Sequence, residues 1–191
     1  RLWLIEAVRY NVLPLDDDVG SRMNPDLAGP PTLIKGNTQI LFGGMGRLTE
    51  RSIVNLKNKS HAITAEVVVP KSGAEGVIIA MGGLIGGFSL YAKGGKPKYC
   101  YNCYGLDQYY VEGRSAIPEG THQVRMEFAY DGGGLGKGAT VTLSVDGKAA
   151  GQGRVERTHL FAFALDETLE VGCDMGEPVS IDYGPRGNAF T

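Results

Sequence analysis

Gln123-Val124-Arg125-Met126-Glu127-Phe128-Ala129-Tyr130 reads as a β-strand with two unlike faces. Val124, Met126, Phe128 and Tyr130 fall on one side, and Gln123, Arg125 and Glu127 on the other. The same period of two recurs to either side. Ile63, Ala65, Val67 and Val69 alternate with Thr64 and Glu66, and Val141, Leu143 and Val145 alternate with Thr140, Thr142 and Ser144. Each run has one face for a core and one for water. Gly94-Gly95 and Asp146-Gly147 supply the positive φ that two-residue hairpins need. Further strand candidates are Gln39–Phe42, Ser52–Leu56, Val77–Ala80, Phe88–Lys93, Lys96–Cys103, Gln108–Val111, Gly153–Arg157 and Glu167–Val171. Gly 29 beside Pro 9, without a collagen-like period, implies many turns and few long helices. The expected fold is all-β: about ten short antiparallel strands in a two-sheet β-sandwich of jelly-roll type.

The chain has 191 residues, 42% hydrophobic and 21% charged, enough for one core and sized for one domain with a tail. Its 19 Lys+Arg against 21 Asp+Glu leave a formal net charge of -2. That provides neither a basic field for nucleic acid nor a polybasic patch for anionic lipid, so neither partner is expected. No apolar run reaches the roughly 18 residues of a membrane helix, and this piece carries no signal-peptide pattern, so a soluble piece is expected. Three cysteines are too few for a disulfide framework and point towards a reducing compartment such as the cytoplasm.

Arg1–Leu13 is the helix candidate, with Leu4, Val8 and Val12 at i, i+4 and i+8 and Pro14 to stop it. Leu15–Pro31 follows with Asp16-Asp17-Asp18 and the breakers Gly20, Pro25, Gly29, Pro30 and Pro31, and reads as an extended linker or a surface wrap. The chain divides into 1–31, helix and linker, and 32–191, the sandwich.

Several motifs invite chemistry. Gly132-Gly133-Gly134-Leu135-Gly136-Lys137-Gly138 resembles a phosphate-binding loop, but Asp131 holds the first glycine position, Gly138 replaces the Ser/Thr, and a strand follows where a helix is required. A hairpin loop is the better reading. Gly43-Gly44-Met45-Gly46 and Gly82-Gly83-Leu84-Ile85-Gly86-Gly87 fall to the same objection. Cys100-Tyr101-Asn102-Cys103 has C-x-x-C spacing, but on a strand residues three apart face opposite ways, and buried structural thiols fit better than a redox or zinc pair.

Tyr99, Tyr101, Tyr104, Tyr109 and Tyr110 are the candidate ligand-binding residues, with Tyr91 in the same aromatic region. Rings on one sandwich face stack on sugars, while cross-strand packing is the plainer alternative. Asp174, Glu177 and Asp182 are the candidate metal ligands, a loop for a hard cation such as Ca²⁺, although their spacing matches no EF-hand and a solvated acidic loop is the alternative. His122 has no nucleophile paired with it in sequence. No set of residues supports a catalytic assignment.

Longer strings carry a resemblance. Residues 3–17, WLIEAVRYNVLPLDD, resemble the end of the catalytic domain of bacterial arylsulfatases. Residues 24–48 (NPDLAGPPTLIKGNTQILFGGMGRL), 55–70 (NLKNKSHAITAEVVVP), 120–138 (GTHQVRMEFAYDGGGLGKG) and 182–191 (DYGPRGNAFT) are similar to the C-terminal β-domain of the large members of that family. The order of residues 86–102, 118–133 and 141–148 is also similar to that of concanavalin A-like and laminin G-like jelly rolls.

The resemblance implies a non-catalytic accessory domain that packs on a sulfatase catalytic domain. The parent hydrolase would use a formylglycine from a C/S-x-P-x-R motif and a Ca²⁺. None of Cys100, Cys103 or Cys173 opens that motif, so no catalytic residue is expected in this chain, and no cofactor apart from the candidate Ca²⁺ of the loop around Asp174. The alternative function is an independent glycan-binding module. The resemblance also implies one further strand after residue 191, leaving an edge for the N-terminal segment or a second copy, and makes the apolar stretch around Trp3 an interface, so self-association is expected.

Overall fold

The structure is a computed structural model that describes residues 2–13, 15, 33–164, 166–186 and 188–191. The expected linker, Leu15 apart, lies outside these residues. Helix α1 runs Leu2–Arg9, shorter than expected. It ends at a left-handed Asn11, φ 53°, with the Val12 N–H donating to the Ala7 carbonyl and the Asn11 N–H to that of Val8. This C-terminal cap closes the helix before Pro14 is reached.

Among the described residues nine strands follow: β1 His61–Val69, β2 Gly76–Gly83, β3 Gly86–Lys93, β4 Lys96–Cys103, β5 Asp107–Glu112, β6 Gly120–Tyr130, β7 Ala139–Val145, β8 Lys148–Val155 and β9 Leu169–Val171. They form two antiparallel sheets, a four-stranded one ordered β1-β6-β7-β8 and a five-stranded one ordered β5-β4-β3-β2-β9. The chain changes sheet after β1, β5 and β8, which gives the crossings of a jelly roll. Gly94-Gly95 and Asp146-Gly147, all at positive φ, make the β3–β4 and β7–β8 hairpins as the sequence implies.

The alternating residues meet between the sheets. Val67, Val69, Val124, Met126, Phe128, Val141 and Leu143 face Met81, Phe88, Leu90, Tyr99, Tyr101 and Val111 in one buried cluster. The five-stranded sheet differs from the expected one-sided pattern: β2 and β3 are buried on both faces. The chain beyond β9 lies over their outer side, where Val179 and Tyr183 pack on Val77, Ala80, Tyr91 and Cys100. Cys100 and Cys103 therefore point into different apolar layers, as their spacing on a strand requires.

Gln39–Phe42 and Ser52–Leu56, expected as strands, are not. Residues 36–43 run as a strap, and Glu50–Ser52 forms a single 3-10 turn. β8 begins five residues before its expected start, because the Asp146-Gly147 turn sets the register of Lys148-Ala149-Ala150 where side-chain pattern is silent.

The two sides of the sandwich differ. At one, the Arg114 N–H donates to the Ala150 carbonyl at 2.9 Å. A Cβ on Gly153 would lie 2.7 Å from Val111 Cγ2, and one on Gly151 would strike the Glu112 carbonyl. Glycine lets β5 and β8 touch. At the other side β1 is an edge strand, and a groove of about 1230 Å³ separates it from the strap.

Candidate functional site

At one end of the five-stranded sheet the tips of two hairpins meet the chain at residues 180–182. The first tip is Leu84-Ile85, held by Gly82 paired with Gly87 and Gly83 with Gly86. Gly82 sits at φ 91°, and a Cβ there would strike the Gly86 carbonyl; one on Gly86 would strike the buried ring of His159. The glycine motif is thus a tight hairpin pressed on a histidine, with Leu84 and Ile85 left in solvent. The second tip is Tyr104-Gly105-Leu106, where Tyr104 and Gly105 take φ 60° and 67°.

Asn102 holds these pieces together. Its side-chain Nδ2 donates to the carbonyls of Gly83 (3.2 Å), Leu84 (2.9 Å) and Val179 (3.1 Å), and its Oδ1 accepts from the Gly105 N–H at 2.9 Å. The residue is wholly buried, and its bonds to the Gly83 and Val179 carbonyls are buried with it, so those two carbonyls would otherwise lack water and partner alike. His159 supports Tyr104 from beneath: Nε2 accepts from the Tyr104 N–H at 3.0 Å, and the two ring centroids are 4.0 Å apart. Burial holds the His159 imidazole below its ordinary pKa and keeps it neutral, as an acceptor needs.

The result is a shallow depression of about 620 Å³ lined by Leu84, Ile85, Tyr104, Leu106, Gln108, Tyr110 and Ile181. Tyr104 is 42% exposed and Tyr110 40%. The Tyr110 hydroxyl donates to Gln108 Oε1 at 2.5 Å and lies 3.0 Å from Ser180 Oγ. Burial, outweighing the bond to Ser180, pushes its pKa up to about 12, so it stays a neutral phenol at physiological pH. Lys98 Nζ stands 5.8 Å from the Tyr110 ring centroid. The floor is aromatic and apolar with a small polar edge, the composition of ligand sites.

Of the sequence candidates, Tyr104 and Tyr110 come together here. Tyr99 and Tyr101 do not: they point into the core, with Phe88 and Phe128 at 6.4 and 5.8 Å, because residues one strand-repeat apart share the inner face. Tyr109, next to Tyr110, turns inward and is half-buried against the same core. For these three, cross-strand packing replaces the expected sugar contact.

The acidic loop is likewise corrected. Asp174 is buried and answers its own chain, Oδ2 accepting from the Val179 N–H at 3.0 Å and the Tyr183 hydroxyl at 2.6 Å. Asp182 is engaged by Lys98 and Lys93 and by the Tyr91 hydroxyl; these donors outweigh its burial and hold its carboxyl well below the ordinary range. Glu177 is exposed, its N–H donating to Glu167 Oε1. Among the described residues no three His, Cys, Asp or Glu side chains are grouped so as to hold a metal ion.

His122 pairs with Asp146, Nδ1 to Oδ2 at 2.7 Å, while Nε2 faces the Glu119 carbonyl at 3.2 Å. Both nitrogens are occupied by acceptors, which suits a structural tie rather than a base. No helix of the described residues is long and apolar enough to cross a membrane.

No family model and no curated protein matches the chain. Among solved structures, domains LG4-5 of the mouse laminin alpha1 chain are 16% identical with a TM-score of 0.49, over 73% of this chain and 34% of that one. The native heptameric SAP-like pentraxin from Limulus polyphemus is 10% identical with a TM-score of 0.42, over 71% of this chain and 60% of that one. This chain thus spans about a third and three fifths of the two, and the likeness concerns the fold alone.

Proposed function

We propose that the chain is a non-catalytic jelly-roll module that binds a glycan in the depression between the two hairpin tips. The observation that carries this reading is the pair of exposed rings, Tyr104 and Tyr110, set among Leu84, Ile85, Leu106 and Ile181 with Gln108 at the edge. Aromatic faces take up the C–H faces of sugar rings, and the amide and phenol groups bond their hydroxyls. A glycan array of neutral and sulfated saccharides is the test. Hits that vanish in Tyr110→Ala and Ile181→Ala, both folded, are expected; an array without hits contradicts the reading.

A second reading is favoured by one observation of its own. Leu2, Trp3, Leu4, Ile5 and Val8 of α1 all stand in solvent, a surface suited to being covered. With the resemblance of residues 3–17, this supports an accessory domain of an arylsulfatase-like hydrolase, with 1–31 as the junction and 32–191 as the sandwich. The sulfatase assignment rests on those sequence strings. Aryl sulfate turnover by this chain would contradict it.

A further inference from the structure

β1 is nine residues long and pairs on one side with β6. Among the described residues no strand pairs with its other side. The remaining edges are covered: β8 lies against β5, and β9 exchanges backbone bonds with the strap's continuation, Leu169 with Leu48 in both directions and Val171 with Gly44 and Met45. β1 therefore presents a row of N–H and C=O groups without ladder partners, and it carries neither proline nor lysine to blunt it.

That edge opens on the groove. Its walls are Ile63, Ala65 and Val67 of β1, Ile79 and Phe88 of the facing sheet, and Phe42 of the strap. About 1230 Å³ exceeds the roughly 300–1,000 Å³ of common small-molecule sites. Among the described residues Lys59 and Glu66 are the charged side chains of the lining, and they cancel. His61 Nε2, also on this wall, is buried without a hydrogen-bond partner.

We infer that this groove accepts one extended peptide strand of a partner protein, uncharged and with apolar residues at alternate positions. The lining decides the occupant. An acyl chain would cover Ile63, Ala65 and Val67 but leave the backbone of β1 unpaired, at a cost for each buried polar group. A polar or charged ligand would pair the backbone but leave the apolar walls wet. A strand does both, because its backbone bonds and its inward side chains share the period of β1. Charge complementarity points the same way, since a neutral lining gives a charged strand no counterion.

The probe is a synthetic peptide with the sequence of Ala139–Val145, whose Val, Leu and Val alternate with Thr and Ser. It is titrated into the full chain while residue-resolved amide shifts are followed. Saturable shifts confined to His61–Val69 and the groove walls are expected. A peptide of the same composition with its apolar residues adjacent should bind at least about tenfold more weakly, as should the wild-type peptide to Ala65→Phe, which fills the groove. Gln152→Ala, exposed on β8 at the far edge of the same sheet, should bind like wild type, and the amide spectrum of Ala65→Phe itself checks that this variant is folded. Equal binding of the rearranged peptide, competition by dodecanoate, or a dimer formed through β1 would each overturn the inference.

Discussion

Where β5 meets β8, Gly151 and Gly153 have no side chains to hold the sheets apart, and Arg114 bonds across to Ala150. Where β1 passes the strap, the inward residues are Ile63, Ala65 and Val67, and the sheets stand apart around the groove. Both sides belong to one core and one set of crossings. The difference is side-chain volume and pairing at the edge: removing volume closes one seam, and a full strand without a neighbour leaves the other open.

Gly151→Val should have the largest effect, because its side chain must displace the Glu112 carbonyl and reopen the closed seam. A loss of about 2–3 kcal/mol in urea unfolding is expected. A neutral result would mean that the close approach of β5 and β8 contributes nothing. Asn102→Ala removes the donor shared by the buried carbonyls of Gly83 and Val179 and the half-buried bond to Leu84, and should cost about 1–3 kcal/mol. It should also abolish glycan binding in the fraction that remains folded, which separates it from a purely global change.

On the open seam the same volume increase should do little. Val68→Lys, at a position facing water on β1, is expected to shift stability by less than about 0.5 kcal/mol. A large loss there would show that β1 is covered. The smallest expected effects are pH slopes. Burial chiefly, offset in part by the Tyr183 and Val179 donors, raises the Asp174 carboxyl above its ordinary value. Its contribution is therefore full below the unfolded value and lost as pH rises through the folded one; Asp174→Asn should flatten that decline. His122 on β6, opposite Val67 of β1, is raised by its bond to Asp146. Its stabilising share should be full below the ordinary histidine value and fade as pH climbs past the raised one, a slope that His122→Gln removes.

Much of this architecture was legible because a period of two and glycine turns are local signals. The runs 123–130 and 140–145 became β6 and β7, and both predicted hairpin turns formed. β8 was legible only in part, since Ala149, Ala150, Gly151 and Gly153 carry no alternation; the same small residues that hide the strand close the seam. The depression was half visible. Tyr104 and Tyr110 were in the aromatic run, but alternation alone does not tell which face a second layer will cover, and Val179 and Tyr183 cover one. Asn102 was missed. The signal for it was an amide inside the apolar and aromatic run Tyr99–Tyr104, where a buried polar residue needs several partners. His159 offered less, being set among residues with no strand pattern. The acidic residues misled because carboxylates close in sequence found separate partners, Asp174 its own loop and Asp182 the lysines of β3 and β4.

The open seam is tested most directly by residue-resolved amide hydrogen exchange, comparing β1 with β7, which is paired on both sides. Alternate amides of His61–Val69 should exchange orders of magnitude faster than their neighbours, while Ala139–Val145 is protected throughout. Uniform protection along β1 in the monomer would contradict an open edge and remove the basis for the groove as a strand acceptor.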